Sequence, residues 1–418
     1  MSLTNSRLIR LSYGDGGEFS CELEADRVVA SLSGPPPLED LDAEIRGALR
    51  SPLDFPPLAQ AVIPDDRVAL ALDAGTPGAD RLLAAVWDVL EEQGVRPENV
   101  TVIESCADRP PLHDPRVHDP RVRDPRVRDP RRGLPAHARK RMIWRRHEPS
   151  EEACAYLASS LGGERVYLAR EVIDADVAIS VGTMGHDALI GYRGTNSVFY
   201  PGLSTADAVA RSRGQGHSEL GPDDERPLRQ FIDEIGWLLG TQFTLQVVPA
   251  AGEGVAHVLA GAVESVYRRG RQLVAEEWFV RLAERPEILV AAIDAEAGGH
   301  GWTQLGAALE TARNLVQNGG KIVLLTDLDD EPGPGLELIR HSDDPRETIR
   351  PLRQQSPPDL VSATQLAGAV DWADVYLLSR LDGELVDELF MVRLSGVDEA
   401  ARLLRQGGNC VFLGSAQH

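Results

Sequence analysis

Short apolar runs rich in β-branched residues recur along the chain and alternate with amphipathic stretches. In the first half these runs span residues 67–73, 99–105, 176–182, 243–250 and 255–260, the last two as a strand pair. Strands that alternate with helices are typical of parallel sheets assembled from β-α-β units. The pattern therefore predicts an α/β fold with mostly parallel sheets.

The second half of the chain repeats this alternation. Strands predicted at 288–294, 321–327, 374–379 and 410–414 alternate with helices that include 303–317 and 397–406. A chain of 418 residues usually divides into domains, because a single core stops growing near about 250–300 residues. A helix that ends near Glu277 is expected to join the two parts.

We therefore predict two α/β domains, an N-terminal one at 1–275 and a C-terminal one at 276–418. The last strand could return to the N-terminal domain. Between the first two predicted strands lies a helix that Thr76 can cap, with Pro77 in its first turn and Gly94 at its end.

The composition narrows the classes of function. The formal net charge is −22, and such an acidic surface repels nucleic acid and anionic membranes unless a local basic patch intervenes. No apolar run approaches the ~18 residues of a membrane span, and the start, MSLTNSRLIR, lacks the apolar core of a secretory signal. The 4 cysteines are scattered without a CxxC pair, which favours reduced thiols. We expect a cytoplasmic protein.

Acidic residues follow several predicted strands directly before a loop, at Asp73, Glu104, Asp294 and Asp327. In open α/β sheets, ligands bind at the carboxyl ends of the strands. An Asp at this position also commonly caps the following helix, and for any one of these residues alone capping is the default interpretation.

Three loops that follow predicted strands read LDAGTPGADRLL, ESCADRPPL and VGTMGHDALIGYRGTNSVFYPG. In order and spacing they resemble the loops of the nickel-dependent lactate racemases. The likeness continues through FIDEIGWLLGTQFTLQVVPA and GGHGWTQLGAALETARNLVQNGGKIVLL, so it covers most of the chain, although no single motif is specific. It implies two α/β domains with an interdomain cleft. It also implies isomerase chemistry on 2-hydroxy acids, with a lysine-tethered nickel-pincer nucleotide as hydride acceptor.

The residues that serve this chemistry in the family are largely replaced here. The substrate-binding arginine falls on Thr76, and a proton-transfer histidine falls on Asp108, next to a retained Arg109. The histidine that binds nickel falls on Asp187, which leaves His186 one position out of register. Aspartate is a poor substitute for imidazole as a nickel ligand and is a weaker base than histidine.

The tethering lysine falls on Ser197, whose hydroxyl cannot form the covalent link to the cofactor. The second proton-transfer histidine falls on Arg213, and a later lysine falls near Ala307. A shift of the alignment would not restore the tether, because no lysine lies between Lys140 and Lys321. We therefore expect no covalently bound pincer cofactor.

The polar residues that remain on these loops could still form a ligand site. Catalytic roles would fall to Asp108, Arg109 and Asp187. Ligand contacts would fall to Asp73, Thr76, Tyr192, Arg193, Gly194 and Ser197. His186 and Asp187 are the candidate ligands of a divalent cation, and Arg109 or Arg193 would bind a carboxylate or phosphate. The alternative is that these side chains only hydrogen-bond the loops around a vestigial pocket.

Residues 109–146 form a basic segment that contains the five-residue repeat HDPR, HDPR, RDPR, RDPR at 113–131. The segment holds 12 Arg and 1 Lys against 4 Asp, a local excess of 9 positive charges. Asp before Pro favours extended backbone, so the repeat is expected to be an exposed loop. Binding of an acidic partner or nucleic acid is one interpretation, but a simple expansion in a loop is favoured because no aromatic residues are interleaved.

Three functions from different classes remain open. The first is a lactate-racemase-like protein without the pincer cofactor that binds a small hydroxy acid or related anionic metabolite, as a sensor or pseudoenzyme. The second is an active racemase or epimerase of 2-hydroxy acids with altered residues. The third is a non-catalytic interaction protein that acts through the basic segment. The missing lysine argues against the second, and the retained glycines at 182–202 favour the first over the third.

Overall fold

The computed structural model describes residues 6–105, 129–213, 224–294 and 301–418. The chain divides into two compact units. The central unit is Pro36–Glu277, and the terminal unit combines Met1–Pro35 with Trp278–His418.

The strands of the described residues follow one another along the whole chain. They are β1 (Ser6–Tyr13), β2 (Gly17–Glu24), β3 (Val28–Leu32), β4 (Val68–Leu72), β5 (Val100–Glu104), β6 (Ile143–Arg146), β7 (Cys154–Ser159), β8 (Arg165–Ala169), β9 (Val177–Thr183), β10 (Gly185–Asp187), β11 (Gly191–Arg193), β12 (Phe243–Pro249), β13 (Val255–Ala262), β14 (Ile288–Ala292), β15 (Lys321–Leu325), β16 (Asp374–Leu378), β17 (Val392–Arg393) and β18 (Cys410–Leu413).

The α-helices of the described residues lie between these strands. They are α1 (Leu41–Arg50), α2 (Ala79–Glu92), α3 (Ala136–Arg141), α4 (Arg170–Ile173), α5 (Ala206–Arg213), α6 (Pro227–Leu239), α7 (Val263–Trp278), α8 (Trp302–Leu315), α9 (Pro334–Arg340), α10 (Pro345–Gln355), α11 (Leu360–Trp372), α12 (Gly383–Glu388) and α13 (Val397–Leu404).

The central unit is built on a sheet with the strand order β13-β12-β9-β4-β5-β6. Its neighbouring strands are parallel, except for the antiparallel pair β12 and β13. From β4 the chain proceeds through β5 to β6 on one side, and then returns to β9 on the other side of β4. The direction of the connections therefore reverses between β4 and β9.

Helix α2 shows how the hydrophobic pattern directs packing onto this sheet. Its fully buried face, which includes Leu82, Val86 and Leu90, joins the same core cluster as the strands β4, β5, β9 and β12. The predicted start of this helix is wrong in detail. Gly78 precedes it in a left-handed conformation (φ 66°), and the Thr76 hydroxyl donates to the carbonyl of Asp73 (2.7 Å) instead of capping the helix.

The terminal unit contains a sheet with the order β17-β16-β15-β14-β18-β3, in which all neighbouring strands are parallel. Strand β3, near the start of the chain, pairs with β18, near its end. The division into units therefore differs from the predicted domains, since the first 35 residues join the C-terminal part and β18 stays in the C-terminal sheet. Local hydrophobicity predicts a strand but does not specify its partner in a sheet, which is why the prediction missed this exchange.

The described part of the basic segment is folded against the central unit. Its last residues form β6, which pairs with β5 at the edge of the sheet, so that part is not an exposed loop. Most of its arginines form ion pairs with carboxylates of the same unit, including Arg132 with Asp80 (2.7 Å) and Arg141 with Glu98 (2.8 Å). Residues 113–128, which carry most of the repeat, lie outside the described residues.

Among the described residues, none of the helices combines the length and the apolar character that crossing a bilayer requires. Cys21, Cys154 and Cys410 are buried free thiols. Burial raises the pKa of Cys21 to about 11, so this thiol stays protonated at neutral pH and is a poor nucleophile.

Residues of β1 to β3 should support the terminal unit and not the central one. Phe19 is fully buried in a cluster with Val28, Val290 and Phe412. We expect Phe19→Ala to lower the free energy of unfolding of the terminal unit by about 3–5 kcal/mol. Hydrogen exchange should then accelerate in β14 and β18 and stay unchanged in β4 and β9.

The matched control is Trp87→Ala, which removes an equally buried ring from the central core. It should accelerate exchange in β4 and β9 instead. Equal acceleration of both sheets by Phe19→Ala would contradict the assignment of the N-terminal strands.

Candidate functional site

The carboxyl ends of β4 and β9 are the candidate ligand-binding position of the central unit. In open α/β sheets the loops diverge where the strand order reverses, and the crevice that results is the usual binding place. In this sheet the reversal lies between β4 and β9. The first and third of the loops predicted from sequence to form a site leave the sheet at these two ends.

The loop after β4 is closed by short-range hydrogen bonds. The amide of Asp73 donates to the carbonyl of Val181 (2.8 Å), which fixes the start of this loop to β9. The hydroxyl of Ser105, which follows β5, lies 3.4 Å from Asp73 Oδ1 and 3.4 Å from the amide nitrogen of Ala74. Thr76 is buried, with its hydroxyl bound to the Asp73 carbonyl. The structure therefore brings Asp73, Thr76 and Ser105 together.

Gly182, near the end of β9, lets three other elements approach the strand closely. A Cβ at this position would stand 2.9 Å from Val198 Cγ2, 3.0 Å from Asp73 Cβ and 3.1 Å from Gln246 Oε1. The first distance is shorter than real Cβ contacts and the other two are tighter than most, so a side chain here would force these neighbours to move. The loop after β4 and the turn around Val198 consequently meet at the carboxyl end of β9.

The hairpin of β10 and β11 carries four of the predicted site residues. Gly185 pairs with Arg193, His186 with Tyr192 and Asp187 with Gly191. Because successive side chains of a strand point to opposite faces, His186 and Tyr192 share one face, and Asp187 and Arg193 share the other. The structure therefore does not bring His186 and Asp187 together as ligands of one metal ion.

The carboxylate of Asp187 has a structural role within this hairpin. Its Oδ1 accepts hydrogen bonds from the amides of Leu189 (2.8 Å) and Ile190 (3.0 Å), which closes the turn between the two strands. Among the residues that the structure describes, no group of three or more His, Cys, Asp or Glu side chains is arranged to hold a metal ion.

Ser197 closes the next turn, a 3-10 helix at Thr195–Val198. Its hydroxyl accepts from the amide of Gly194 (2.8 Å) and donates to the carbonyl of the same residue (3.2 Å). Gly194 needs to be glycine, since its φ is 109° and a Cβ there would stand 2.4 Å from Met184 Sδ. Both residues therefore shape the turn.

Arg229 of α6 is a buried cation that the sequence analysis did not select. Its guanidinium forms a two-pronged pair with Asp233 (2.6 and 3.0 Å) and donates to the carbonyls of Tyr192 (3.2 Å) and Gly194 (3.3 Å). It also stacks on the ring of Tyr267, with Cζ 3.9 Å from the ring centroid. Arg229 thus ties α6 and α7 to the loop between β11 and the Ser197 turn.

A second arginine contacts an aromatic residue of this loop. Arg271 of α7 stacks on Tyr192, with Cζ 5.0 Å from the ring centroid, and lies 5.9 Å from the ring of Tyr267. Burial raises the pKa of Tyr267, and the charges of Arg229 and Arg271 partly oppose that rise. Arg193 lies beside Gly185, where its Nε would be 3.1 Å from an added Cβ.

The remaining predicted residues lie elsewhere. Asp108 and Arg109 are outside the described residues. The strand-end acids of the terminal unit form internal contacts: Asp294 accepts from Ser415 Oγ (2.5 Å) and Gln417 Nε2 (2.8 Å), and Asp327 accepts from the amide of Asp15 (2.9 Å). Ser105 could have been found from its place after a strand, whereas Arg229 and Arg271 lie on helices without any local signal.

The comparisons with known proteins agree with this fold. Residues 132–218 match the model of the lactate racemase N-terminal domain. The fold is similar to the lactate racemase apoprotein from Thermoanaerobacterium thermosaccharolyticum, with a TM-score of 0.77 at 14% identity over 98% of each chain. A structural-genomics protein from Thermotoga maritima matches with a TM-score of 0.67 at 14% identity, over 92% of this chain and 98% of that one. No curated protein matches the chain by sequence. The chain is lactate-racemase-like in its fold and in its matched segment.

Removing the guanidinium of Arg229 should loosen the loop that it holds. Arg229→Met keeps the apolar length of the side chain but deletes its donors to Tyr192 and Gly194. We expect a loss of about 1–3 kcal/mol in the free energy of unfolding in urea. Amide exchange should increase at residues 192–197. Arg145→Met, which breaks an exposed pair with Glu171, is the control and should change stability by less than about 1 kcal/mol. Unchanged exchange at 192–197 in Arg229→Met would refute the bracing role.

Proposed function

We propose that this protein binds a small hydroxylated carboxylic acid, or a related anionic metabolite, at the carboxyl ends of β4 and β9. In this proposal it does not use a tethered nickel-pincer cofactor. The main support is the position of the strand-order reversal, at which Asp73, Thr76 and Ser105 meet the glycine-shaped loop that follows β9.

The chemistry of these groups suits a ligand with a hydroxyl group and a negative charge. The carboxylate of Asp73 can accept a hydrogen bond from a ligand hydroxyl, and the hydroxyl of Ser105 can donate or accept one. Both lie where the sheet and the loops exclude much of the solvent, so each hydrogen bond is worth more than at an exposed surface. Arg193 can supply positive charge from the neighbouring hairpin.

The residues present do not fit the tethered nickel-pincer group. Ser197, at the tether position, has its hydroxyl bonded to the amide and carbonyl of Gly194, and a serine offers no amine. Asp187 aligns with the nickel-binding histidine, and one of its carboxylate oxygens accepts hydrogen bonds from two backbone amides. His186 lies on the opposite face of the hairpin. We therefore derive no catalytic step through this cofactor.

The alternative function is racemase or epimerase activity on 2-hydroxy acids with altered residues. Such a reaction needs proton-transfer groups on both sides of the substrate α-carbon. Of the two acids predicted to be catalytic, Asp108 lies outside the described residues, and Asp187 accepts hydrogen bonds from two backbone amides and so closes its turn. Binding without turnover is therefore the better supported reading. If polarimetry shows that the protein racemises D-lactate, the racemase function is favoured over binding without turnover.

Ligand binding can be measured by calorimetry with D-lactate, L-lactate, glycerate and gluconate. We expect at least one of these acids to bind, and Asp73→Asn and Ser105→Ala each to weaken that binding by about 10-fold or more, since each removes a hydrogen bond to the ligand. The control is Asp80→Asn, which alters a carboxylate on α2 that pairs with Arg132. Undiminished affinity in both site variants, or no binding of any acid, would defeat the proposal.

Cofactor attachment can be examined separately. The protein should be co-expressed with the enzymes that synthesise the pincer nucleotide, with nickel in the medium, and analysed by intact mass and metal content. We expect the mass of the unmodified chain and no stoichiometric nickel, because Ser197 cannot form the link. A lactate racemase carrying the tethering lysine serves as positive control. A mass increase equal to the cofactor would overturn our interpretation.

A further inference from the structure

We propose that Gln246 of β12 is a specificity residue of the site at the carboxyl ends of β4 and β9. Its amide oxygen accepts a hydrogen bond from a second hydroxyl group of the ligand. This inference rests on the proposed function and narrows its ligand class to carboxylic acids that carry two or more hydroxyl groups.

Asp73, Gly182 and Gln246 form a row across three neighbouring strands. Gln246 pairs with Gly182 between β12 and β9, and Asp73 follows the last residue of β4, whose partner on β9 is the residue before Gly182. A Cβ at Gly182 would stand 3.0 Å from Asp73 Cβ and 3.1 Å from Gln246 Oε1. The side chains of Asp73 and Gln246 therefore approach the same point, from either side of a residue that has no side chain.

A network of buried polar groups fixes the orientation of the Gln246 amide. Its Nε2 donates to Thr244 Oγ1 (2.7 Å) and to the carbonyl of Ser180 (3.3 Å), and the Thr244 hydroxyl donates to the same carbonyl (3.0 Å). All three residues are fully buried. The reverse orientation would set the amide oxygen against the Ser180 carbonyl, and two acceptors cannot share a hydrogen bond. The oxygen is therefore held on the side of Gly182.

Within the part of the chain that the structure describes, this amide oxygen has no hydrogen-bond partner. A buried acceptor without a donor costs free energy, so such an oxygen generally receives a hydrogen bond from water or from a bound molecule. Its neighbours at this point are Gly182, Gly194 and the sulfur of Met184. A glycine has no side-chain donor and a thioether has none, so the structure points to a donor from the ligand.

Met184 controls access to this oxygen. A Cβ at Gly194 would stand 2.4 Å from Met184 Sδ and 3.2 Å from Gln246 Oε1, so the thioether lies next to the amide oxygen, and both are buried. An unbranched thioether side chain adapts its conformation more readily than a branched one. When the ligand binds, the Met184 side chain turns aside and the ligand hydroxyl takes its place beside Oε1.

Two acceptors in one row select a ligand by its donors. Under the proposed function, Asp73 accepts a hydrogen bond from one ligand hydroxyl, and Gln246 accepts one from the next. The amide hydrogens of Gln246 are directed to Thr244 and Ser180, so only its acceptor faces the ligand. A ligand without the second hydroxyl leaves this buried acceptor unpaired, and the site discriminates against it.

The test compares two acids that differ by one hydroxyl group. D-glycerate and D-lactate share the carboxylate and the 2-hydroxyl, and only D-glycerate carries a 3-hydroxyl. Calorimetry measures both acids with the wild type, with Gln246→Met, which deletes the amide at similar length, and with Gln246→Asn, which keeps an amide but withdraws it from the row. The matched control is Gln230→Met, since Gln230 is an exposed residue of α6 that pairs with Glu225 (3.3 Å). Circular dichroism checks the fold of each variant, and Gln246→Asn decides if Gln246→Met does not fold.

We expect the wild type and Gln230→Met to bind D-glycerate about 10-fold more tightly than D-lactate, the contribution of one buried hydrogen bond. The Gln246 variants should bind the two acids equally and keep the wild-type affinity for D-lactate. In protein labelled at its methionine methyl groups, D-glycerate should shift the NMR signal of Met184 and leave that of Met391, in the terminal unit, unchanged.

Failure of this inference can be told apart from failure of the proposed function. Equal affinity of the wild type for D-glycerate and D-lactate would overturn the inference and leave the proposed function standing. The inference is also wrong if the Gln246 variants keep the preference for D-glycerate, or if they lose both acids equally, since the amide would then act on the fold alone. If the wild type binds no hydroxy acid, the proposed function and this inference both fall.

Discussion

The close approach of glycines to larger side chains at the carboxyl end of β9 is the constraint on which the site depends. Gly182 admits Asp73 and Val198, Gly194 admits Met184, and Gly270 brings α7 against the same methionine. A methyl group at any of the three positions would overlap atoms that are closely packed. The loop after β4, the turn at 194–198 and α7 can therefore converge only because no side chain intervenes.

Buried charge then holds this convergence in place. Arg229 joins α6 to the loop carbonyls and to Tyr267, and Asp233 neutralises part of its charge. A guanidinium is costly to bury unless its donors are satisfied, and here carbonyl, hydroxyl and carboxylate oxygens satisfy them. The same network binds the carbonyl of Tyr192, whose ring contacts the guanidinium of Arg271.

The chain has a lactate-racemase-like scaffold, and at the positions aligned with the family's cofactor ligands it carries different residue types. The matched N-terminal segment and the similar solved structures establish the scaffold. At the positions that would hold the cofactor, Ser197 and Asp187 form hydrogen bonds with the backbone of their own turns. Side chains that could have served a cofactor thus stabilise the loops that would surround it. A shared scaffold does not by itself fix the chemistry of the site that it carries.

Much of the fold follows from local pattern, because the sequence decides where apolar residues recur. The sequence pattern predicted the parallel α/β class. It also predicted core strands and helices such as α2 to within a few residues at each end, because hydrophobic periodicity is a property of neighbouring residues. The glycines at 182 and 194 also indicated the loop after β9 as a candidate site. The sequence did not show that close packing excludes a side chain at these two positions.

Only the tertiary structure decided what depends on residues distant in the chain. It placed β3 beside β18, a pairing that no local pattern encodes. It put His186 and Asp187 on opposite faces of a hairpin, although they are neighbours in sequence. It also brought Arg229 and Arg271 from two helices to one loop. The physical reason is the same in each case: burial, pairing and stacking are determined by contacts in space, which the chain establishes only when it folds.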